Sequence, residues 1–221
     1  MPLVTEVKPR KRGLVAAVSL DGRDEPVLLA MDTVALHHIR EGVHVPADEW
    51  REVESEGRRL LAVRRALEIL ARRQKTEREL RTDLCKRFEP AEADHAIDRM
   101  RTLGYLDDGA VARHYVASPR SAGRGRAMLR HELGQRGVPD ALAAPAIADH
   151  DERGAAHEAA RKRWRALRRI EEPRRSRRLY DFLRRRGFPD PLAREAMAAA
   201  IAEAASPPSS PSPVGGGGGG G

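Results

Sequence analysis

Several residue types are scarce in this chain of 221 residues, and each scarcity excludes a class of protein. Cys85 is the only cysteine, so no internal disulfide can form, as is typical of proteins from a reducing compartment. Aromatic residues make up only 4% of the chain, so the core must consist mainly of Leu, Val, Ile and Ala, which favours closely packed helices. No apolar run approaches the roughly 20 residues that span a bilayer, and no apolar segment follows the charged start as it would in a signal peptide. We therefore expect a cytoplasmic protein that makes no membrane contact.

Patterns that carry catalysis or bind cofactors are missing as well. The sequence contains neither HExxH nor CxxC, and the stretch SAGRGR at 121–126 lacks the Lys and Ser/Thr of a phosphate-binding loop. Cys85 has no histidine nearby in sequence and follows a leucine, which indicates a packing position in a helix. The pair Asp107-Asp108 comes after Gly104, where one helix should end, so a cap of the next helix explains it. We expect no catalytic residues, no metal ion, no cofactor and no enzymatic activity.

Positive charge is concentrated in the last part of the chain before its tail. The whole chain has 41 Lys and Arg against 33 Asp and Glu, a formal net charge of +8. Between Ala155 and Ala205, 13 Arg and one Lys face seven acidic residues, so this stretch alone carries a net charge of +7. A dense charge run can be no more than a solvated helix face, but this concentration favours a surface that recognises phosphates or carboxylates. Trp164 and Tyr180 lie between the runs, and both packing and stacking on a ligand are compatible with their positions.

Twelve arginines from this region and from the segment around SAGRGR are the candidate contact residues for a protein or for DNA. We expect that replacing Arg184, Arg185 and Arg186 by Glu weakens binding and leaves the helix intact, because these three residues follow Leu183 at a solvent-facing helix end. The twelve are Arg124, Arg126, Arg130, Arg161, Arg165, Arg174, Arg175, Arg177, Arg178, Arg184, Arg185 and Arg186.

The two ends of the chain differ from its middle. The apolar stretches GLVAAVSL and EPVLLAM flank the turn residues DGRD, which predicts a β-hairpin of two strands within residues 14–31. A short helix around Asp32 to Ile39 should follow, with Asp32 or Thr33 as its cap. From Ser206 onward the chain is rich in Ser and Pro and then poly-Gly, a composition that cannot bury apolar surface and predicts disorder.

The region between these ends repeats itself three times. Each copy has a pair of leucines spaced by four and then a short motif, which is RFEP in the first copy, RGVP in the second and RGFP in the third. The step between copies is 49 or 50 residues. Each pair is preceded by a helical segment, at roughly 61–74, 108–118 and 155–169, and is followed by an aliphatic residue, so the unit is three helices. Equivalent residues in the three copies are Leu80, Leu129 and Leu179; Leu84, Leu133 and Leu183; and Ile97, Ile147 and Met197.

The turn inside each repeat has its own signature. Gly137 and Gly187 stand where a helix should stop with a left-handed residue, whereas Phe88 occupies this place in the first copy and requires a different turn. In the helical segment that begins the first copy, Leu60, Val63, Leu67 and Leu70 recur at spacings of three and four, which places them on one face.

We therefore predict a mainly α protein with three tandem three-helix repeats in an elongated array, because stacked repeats contact mainly their neighbours. A small N-terminal β-hairpin with a short helix precedes the array. The predicted divisions are 1–55 for this N-terminal extension, 56–106, 107–154 and 155–205 for the repeats, the last of them basic, and 206–221 for the tail.

Four stretches in this array resemble the RecX family of bacterial regulatory proteins. They are RRALEILARRQKTERELRTDL, IDRMRTLGYLDDGAVARHYV, GRGRAMLRHELGQRGVPD and LYDFLRRRGFPD. The resemblance extends over about residues 60 to 200. Its most specific parts are the segment from Gln74 to Leu80, the turn Gly-Tyr-Leu-Asp-Asp, and Glu132, Leu133 and Gly137 of the second copy.

The resemblance implies a non-enzymatic modulator of the RecA recombinase. Proteins of this family bind RecA and its filament on DNA and typically reduce ATP hydrolysis, strand exchange and co-protease activity, with effects on recombination, DNA repair and the SOS response. The expected partners are RecA, its filament on DNA, and single- or double-stranded DNA directly; the expected state is monomeric.

Two other functions remain open from the residues themselves. A direct DNA-binding regulator could use the basic third repeat, because three-helix units resemble helix-turn-helix folds, and its affinity for DNA would fall steeply with salt. An interaction scaffold unrelated to recombination would affect neither DNA nor RecA.

Overall fold

The computed structural model describes residues 1–205, and it is mostly helical with a small sheet at the N-terminus. The predicted disorder of the tail concerns residues 206–221, which lie outside the described part. Within residues 1–205 no helix is both long and apolar enough to cross a membrane.

The N-terminal sheet has three antiparallel strands in the order β1-β2-β3, which are Val4–Arg10, Val15–Leu20 and Val27–Ala30. The predicted hairpin is confirmed as β2 and β3, and Gly22 in its turn adopts a φ of 74°. Strand β1 was not predicted. It carries charged side chains and Pro9, which an edge strand tolerates because one side of its backbone faces no partner strand.

The predicted short helix is α1, Met31–Leu36. Its predicted cap is wrong: Ala30 is the N-cap, and no side chain caps the first turn. Asp32 instead accepts an ion pair from Arg64 at 2.6 Å, and Thr33 is buried with no hydrogen-bond partner for its hydroxyl among the described residues. Tertiary contacts with the next helix therefore take the place of local capping.

Nine helices after α1 form the three predicted repeats within residues 1–205. The first repeat consists of α2, α3 and α4, and the other two follow in the same order. In chain order the helices are α2 Ala47–Leu70, α3 Glu77–Leu84, α4 Pro90–Thr102, α5 Asp108–Ala117, α6 Arg126–Gln135, α7 Asp140–Ala148, α8 Glu152–Ala166, α9 Arg174–Arg185 and α10 Asp190–Ala205. Helix α2 is continuous across the division predicted between residues 55 and 56.

The repeated leucines are the structural reason for the triplication. The six equivalent leucines of α3, α6 and α9 are completely buried, and the aliphatic residue that follows is 3% exposed at Ile97, 2% at Ile147 and half-buried at Met197. Burying one leucine side chain stabilises the fold by about 1.5–3 kcal/mol, so the same two positions stabilise the core of every copy.

The turns between the second and third helices follow the glycine pattern. Gly137 and Gly187 adopt φ values of 89° and 85°, the left-handed conformation that was predicted. Phe88 has no positive φ; the first copy closes its turn with bonds from the backbone amides of Arg87 and Phe88 to the Leu84 carbonyl. The different turn expected there is confirmed.

In the first repeat, the leucine-bearing face of α2 is not its most buried face, and the packing position predicted for Cys85 is wrong. The buried face of α2 contains Ala62, Ala66 and Ile69, whereas Leu67 is 37% exposed. Small residues occupy the core face because α2 packs closely against its neighbours, and at Gly57 an added Cβ would lie 2.8 Å from the Leu29 side chain. Cys85 is exposed at the end of α3, not packed inside.

The chain divides into two compact units. The first contains residues 1–115 and 132–146, and the second contains 116–131 together with the described residues from 147 onward. The first unit holds the sheet core, where Val4, Val18 and Leu29 pack with Trp50 and Val53 of α2, and the core of the first repeat. The second unit holds a core of α8, α9 and α10 around Trp164 and Phe188.

Candidate functional site

All twelve candidate arginines lie in the second unit. This unit contains 19 Arg and Lys and 10 Asp and Glu, a net charge of +9. The rest of the chain contains 22 Arg and Lys and 23 Asp and Glu, a net charge of −1. The positive excess of the protein therefore belongs entirely to one compact unit, where it can act as one surface.

Helix α9 carries an exposed part of this charge. Arg174, Arg177, Arg178 and Arg185 are exposed, and within residues 1–205 their side chains have no ion pair or hydrogen bond. At 100° per residue the four Cα positions fall within an arc of about 100°, so they form one stripe along the helix. Asp181 is the only acid in α9 and lies inside the same arc. We call the four arginines the α9 stripe.

The start of α9 is unfavourable for an isolated helix. Its first turn contains Arg174 and Arg175 and no acidic residue, and its N-cap, Pro173, offers no side-chain hydrogen bond. Cations at a helix N-terminus oppose the helix dipole, at a cost of about 0.3–1 kcal/mol each. Arg175 offsets part of this cost through its contacts with Trp164, whereas the side chain of Arg174 has no partner within residues 1–205.

A groove of about 290 Å³ lies beside this stripe, and arginines from α8 and α9 flank its aromatic wall. The guanidinium groups of Arg163 and Arg186 stand over the Phe182 ring at 5.3 and 5.1 Å from its centroid. The Nε of Arg163 is buried and has no hydrogen-bond partner among the described residues. Lys162 also lines the groove and is paired with Glu158 at 2.6 Å. We call this the arginine groove.

Glu158 is a carboxylate in the lining of the arginine groove and pairs with Lys162, so the guanidinium groups of Arg163 and Arg186 have no carboxylate partner within residues 1–205. Arginine presents planar N–H pairs that match the oxygens of a phosphate or carboxylate, and a buried donor left unpaired costs about 1–3 kcal/mol. An anion seated between Arg163 and Arg186 would satisfy these donors and relieve the repulsion between two like charges on one ring. The geometry therefore fits an anionic group on a larger ligand.

Three of the predicted arginines have structural partners instead of free guanidinium groups. Arg126 donates to the carbonyls of Ala148 and His150 at 2.9 and 3.1 Å. Arg184 donates to the Phe188 carbonyl at 2.6 Å and closes the turn after α9. Replacing residues 184–186 together would remove this turn contact and one arginine of the groove as well as the charge, and the expected loss of binding with an intact helix stays a prediction.

Arg175 belongs to the same structural group. It lies 3.5 Å from the centroid of the Trp164 ring and donates to the Trp164 carbonyl at 2.8 Å. Trp164 itself is only 5% exposed. The tryptophan is therefore a packing residue covered by an arginine, and it presents no free face for stacking.

Tyr180 is also committed to packing. Its hydroxyl donates to Asp190, and the Arg194 guanidinium lies 5.3 Å from its ring centroid. The hydrogen bond to Asp190 raises the pKa of Tyr180, and the same bond lowers the pKa of Asp190. Of the two aromatic roles left open by the sequence, packing is the one that the structure favours for both residues.

The remaining candidates lie near the edge of the surface. Arg161 and Arg165 of α8 approach Glu203 at 3.8 and 3.6 Å, long exposed pairs of the kind that contribute about 0–1 kcal/mol. Arg130 is exposed on α6, and the carbonyl of half-buried Arg124 lies 2.9 Å from His150 Nε2. The pairs of Arg161 and Arg165 with Glu203 can therefore be exchanged for contacts with a ligand with little loss of stability.

The motifs that carry the family resemblance have a different task, which is to join the first two repeats inside the first unit. Arg136 makes a two-pronged ion pair with Glu79 at 2.8 and 3.2 Å, and its carbonyl accepts from the Thr76 hydroxyl at 2.6 Å. Burial opposes the charge on Glu79, but hydrogen bonds from Arg136 and Thr76 outweigh it and lower the pKa. Any carbon added at Gly137 would lie 2.5 Å from the Arg78 side chain. These residues are structural.

The Asp-Asp pair is structural too. Asp107 accepts from the backbone amide of Ala110 at 2.8 Å, so it caps the first turn of α5 as predicted. Asp108 accepts from the backbone amide of Glu77 at 2.9 Å, and burial raises the pKa of this carboxyl. One aspartate thus starts its own helix and the other holds the start of α3.

Sequence reasoning missed Arg163, Lys162 and Phe182 as site residues. Arg163 belongs to the dense run RKRWRALRR, but the run does not show which arginine reaches the Phe182 ring of another helix. Within residues 1–205, no group of three or more His, Cys, Asp and Glu side chains is placed to hold a metal ion. The arrangement found is a cluster of positive charges around the Phe182 ring.

The fold and this surface define a class: a tandem array of three-helix domains with a basic final domain. Sequence models of three domains match it in order, described as RecX, first three-helix domain at residues 62–100, second at 107–147 and third at 151–197. The chain belongs to the RecX family.

Named relatives agree with this membership. A Regulatory protein RecX of Chlorobium phaeobacteroides is 32% identical over 134 residues, which cover 60% of this chain and 88% of the relative. One of Thermus thermophilus is 38% identical over 138 residues, covering 62% and 91%. One of Mycobacterium bovis is 33% identical over 169 residues, covering 72% and 94%.

Solved structures show the same fold. A crystal structure of regulatory protein RecX superposes with a TM-score of 0.67 at 19% identity and covers 90% of this chain and 100% of that one. RecX from Lactobacillus salivarius gives a TM-score of 0.57 at 16% identity, covering 66% and 97%. At these identities the likeness concerns the fold alone.

Proposed function

We propose that this protein is a non-enzymatic, monomeric regulator that works in the cytoplasm on the RecA recombinase. It binds the RecA filament on DNA and lowers ATP hydrolysis, strand exchange and co-protease activity, and it thereby regulates recombination, DNA repair and the SOS response. The family membership and the regulatory name of its relatives support this proposal.

The observation that carries the proposal is the free positive surface of the second unit. A recombinase filament presents phosphates and protein carboxylates together, and arginine binds both in a bidentate way. The α9 stripe supplies exposed cations for long-range attraction, and the arginine groove supplies partly buried donors for one fixed anion. Both features lie in one compact unit, so one ligand can meet both.

The proposal is tested by co-sedimentation of the protein with single-stranded DNA, bare or coated with RecA in the presence of a non-hydrolysable ATP analogue. We expect binding to the coated DNA to be at least about tenfold tighter, a difference of about 1.4 kcal/mol from added recombinase contacts. Equal or tighter binding to bare DNA contradicts the proposal.

A second candidate is a direct DNA-binding regulator, because the net charge of +9 in the second unit favours DNA by itself. It predicts tight, salt-sensitive binding to bare DNA and no effect on RecA at protein amounts well below those of RecA. The bare-DNA arm of the same sedimentation experiment distinguishes the two.

A further inference from the structure

The first unit contains a groove of about 210 Å³ that the proposed function does not use. It lies between the N-terminal sheet and the first repeat. Its apolar lining consists of Leu14, Val15, Leu28, Leu61 and Phe88. We call it the N-terminal groove.

The apolar lining is accessible to a ligand. Leu14 is 57% exposed and Leu28 is 52% exposed, although Val27 and Leu29 beside Leu28 are buried. An outward strand position in an antiparallel sheet normally carries a polar residue, because only the inner face is packed. Single exposed leucines are common, but two that line one concavity together with Phe88 form a contiguous apolar patch, which is typical of an interaction site.

Positively charged side chains surround this patch, and two of them have no ion-pair or hydrogen-bond partner within residues 1–205. Three arginines of α2 at the rim are paired internally: Arg58 with Glu92, Arg64 with Asp32, and Arg65 with Glu68. By contrast, the side chains of Lys11 and Arg87 line the groove and have no partner within residues 1–205.

The turn that positions Lys11 is strained. Lys11 and Arg12 adopt φ values of 44° and 60°, the left-handed region that residues other than glycine, asparagine and aspartate rarely enter. Backbone strain of this kind is concentrated at binding and switch sites. This strained turn places the ammonium group of Lys11, which has no partner within residues 1–205, at the rim of an apolar groove.

We infer that the N-terminal groove binds a short segment of a partner protein in which a bulky apolar side chain is flanked by carboxylates. The apolar side chain would pack against Leu14, Leu28 and Phe88, and the carboxylates would meet Lys11 and Arg87. The volume is below the roughly 300 Å³ of typical small-molecule sites, and the apolar lining favours a peptide over a nucleic-acid strand. This inference does not rest on the proposed function.

The test is fluorescence anisotropy of three labelled peptides with the full-length protein, in the absence of RecA and DNA. The probe is Asp-Glu-Leu-Phe-Glu-Asp; Lys-Lys-Leu-Phe-Lys-Lys reverses its charge, and Asp-Glu-Ser-Ser-Glu-Asp removes its apolar side chains. We expect saturable binding of the probe and binding at least about tenfold weaker for the other two, because both the apolar and the charged contacts are needed.

Two substitutions locate the binding to the groove. We expect Leu28→Ser and Arg87→Glu each to weaken binding of the probe at least about fivefold. Matched controls in the same unit are Leu142→Ser, at a leucine that is 46% exposed on α7, and Arg99→Glu, at an exposed arginine of α4; neither residue lines the groove. Both controls should bind as the unchanged protein does, and thermal melting checks that all four variants are folded.

Four results would overturn the inference. They are absence of saturable binding, equal binding of the basic peptide, unchanged binding by both folded groove variants, and a dimer in sedimentation that Leu28→Ser dissociates, since a second copy would then occupy the groove. Because the assay contains neither RecA nor DNA, its failure leaves the proposed function standing, and failure of the filament assay leaves this inference standing.

Discussion

Neutralising three residues of the α9 stripe should selectively reduce the salt-dependent binding of single-stranded DNA. The variant Arg174→Gln, Arg178→Gln and Arg185→Gln removes three exposed guanidinium groups that have no side-chain partner within residues 1–205. Removing one arginine–phosphate interaction lowers the slope of log affinity against log salt by about 0.7 on single-stranded DNA, so removing three lowers it by about 2.1. Between about 50 and about 200 mM salt, the affinity ratio of the unchanged protein to the variant should then shrink roughly eighteenfold.

The assay is anisotropy of labelled oligothymidylate over a salt series. The matched control replaces Arg59, Arg72 and Arg99 by Gln, which removes the same charge from exposed arginines of the first unit. Its slope should change by less than about 0.5, because these residues lie outside the basic surface. A stripe variant with an unchanged slope, or a control whose slope falls as much as that of the stripe variant, refutes the assignment of phosphate contacts to α9.

Three further predictions follow from individual contacts. Asp181→Asn removes the only acid of α9 and should tighten binding of the same oligothymidylate by about twofold to fivefold at low salt; weaker binding would show that Asp181 positions the stripe instead of repelling the ligand. Gly125→Ala places a methyl group 2.7 Å from the backbone nitrogen of Phe188 and should destabilise the protein by about 2 kcal/mol or more. Its control, Gly134→Ala inside α6, meets nothing within 4 Å and should stabilise the protein by about 0.5–1 kcal/mol. Chemical denaturation compares the two variants, and equal effects would contradict the close approach at Gly125. Lys75 and Lys86 lower the pKa of Asp83 to about 2 in the folded state, so the stabilisation that this carboxylate provides is present above its ordinary pKa near 3.8 and is lost as the pH falls toward 2. Between pH 5 and pH 2 the melting temperature should therefore fall less in Asp83→Asn than in the unchanged protein. Parallel melting curves would contradict the pairing.

The triplicated core could be predicted from sequence because its signal is local and repeated. Leucine pairs recur at a fixed step, each followed by a turn and an aliphatic residue, and this pattern predicts a repeated three-helix unit. Their complete burial in α3, α6 and α9 follows from the same pattern. The glycines at 137 and 187 were predictable for a similar reason, since a helix end with a left-handed residue selects glycine.

Features that depend on long-range contacts could not be predicted in this way. Strand β1 has charges and a proline, so its sequence does not alternate, and only pairing with β2 makes it a strand. The buried face of α2 contains Gly57, which Leu29 approaches closely, and Ala62 and Ala66, which pack in the core of the first repeat. The spacing of leucines along α2 reveals neither contact. The cap predicted for α1 failed because Arg64, 32 residues later, binds Asp32.

The candidate site was predictable in composition but not in geometry. Charge counting selected twelve arginines that all belong to one unit. It could not separate the free guanidinium groups of the α9 stripe from Arg126, Arg175 and Arg184, which hold backbone carbonyls. It also could not find the arginine groove, which exists only because α8 and α9 bring Arg163 to Phe182.

The most direct test of the central claim is the rate of RecA's ATP hydrolysis on single-stranded DNA, with this protein added at amounts well below those of RecA. The account predicts that the unchanged protein lowers the rate, that the control with substitutions at residues 59, 72 and 99 lowers it equally, and that the stripe variant needs at least about tenfold more protein for the same effect. An unchanged rate with the unchanged protein, or full inhibition by the stripe variant, would contradict the account.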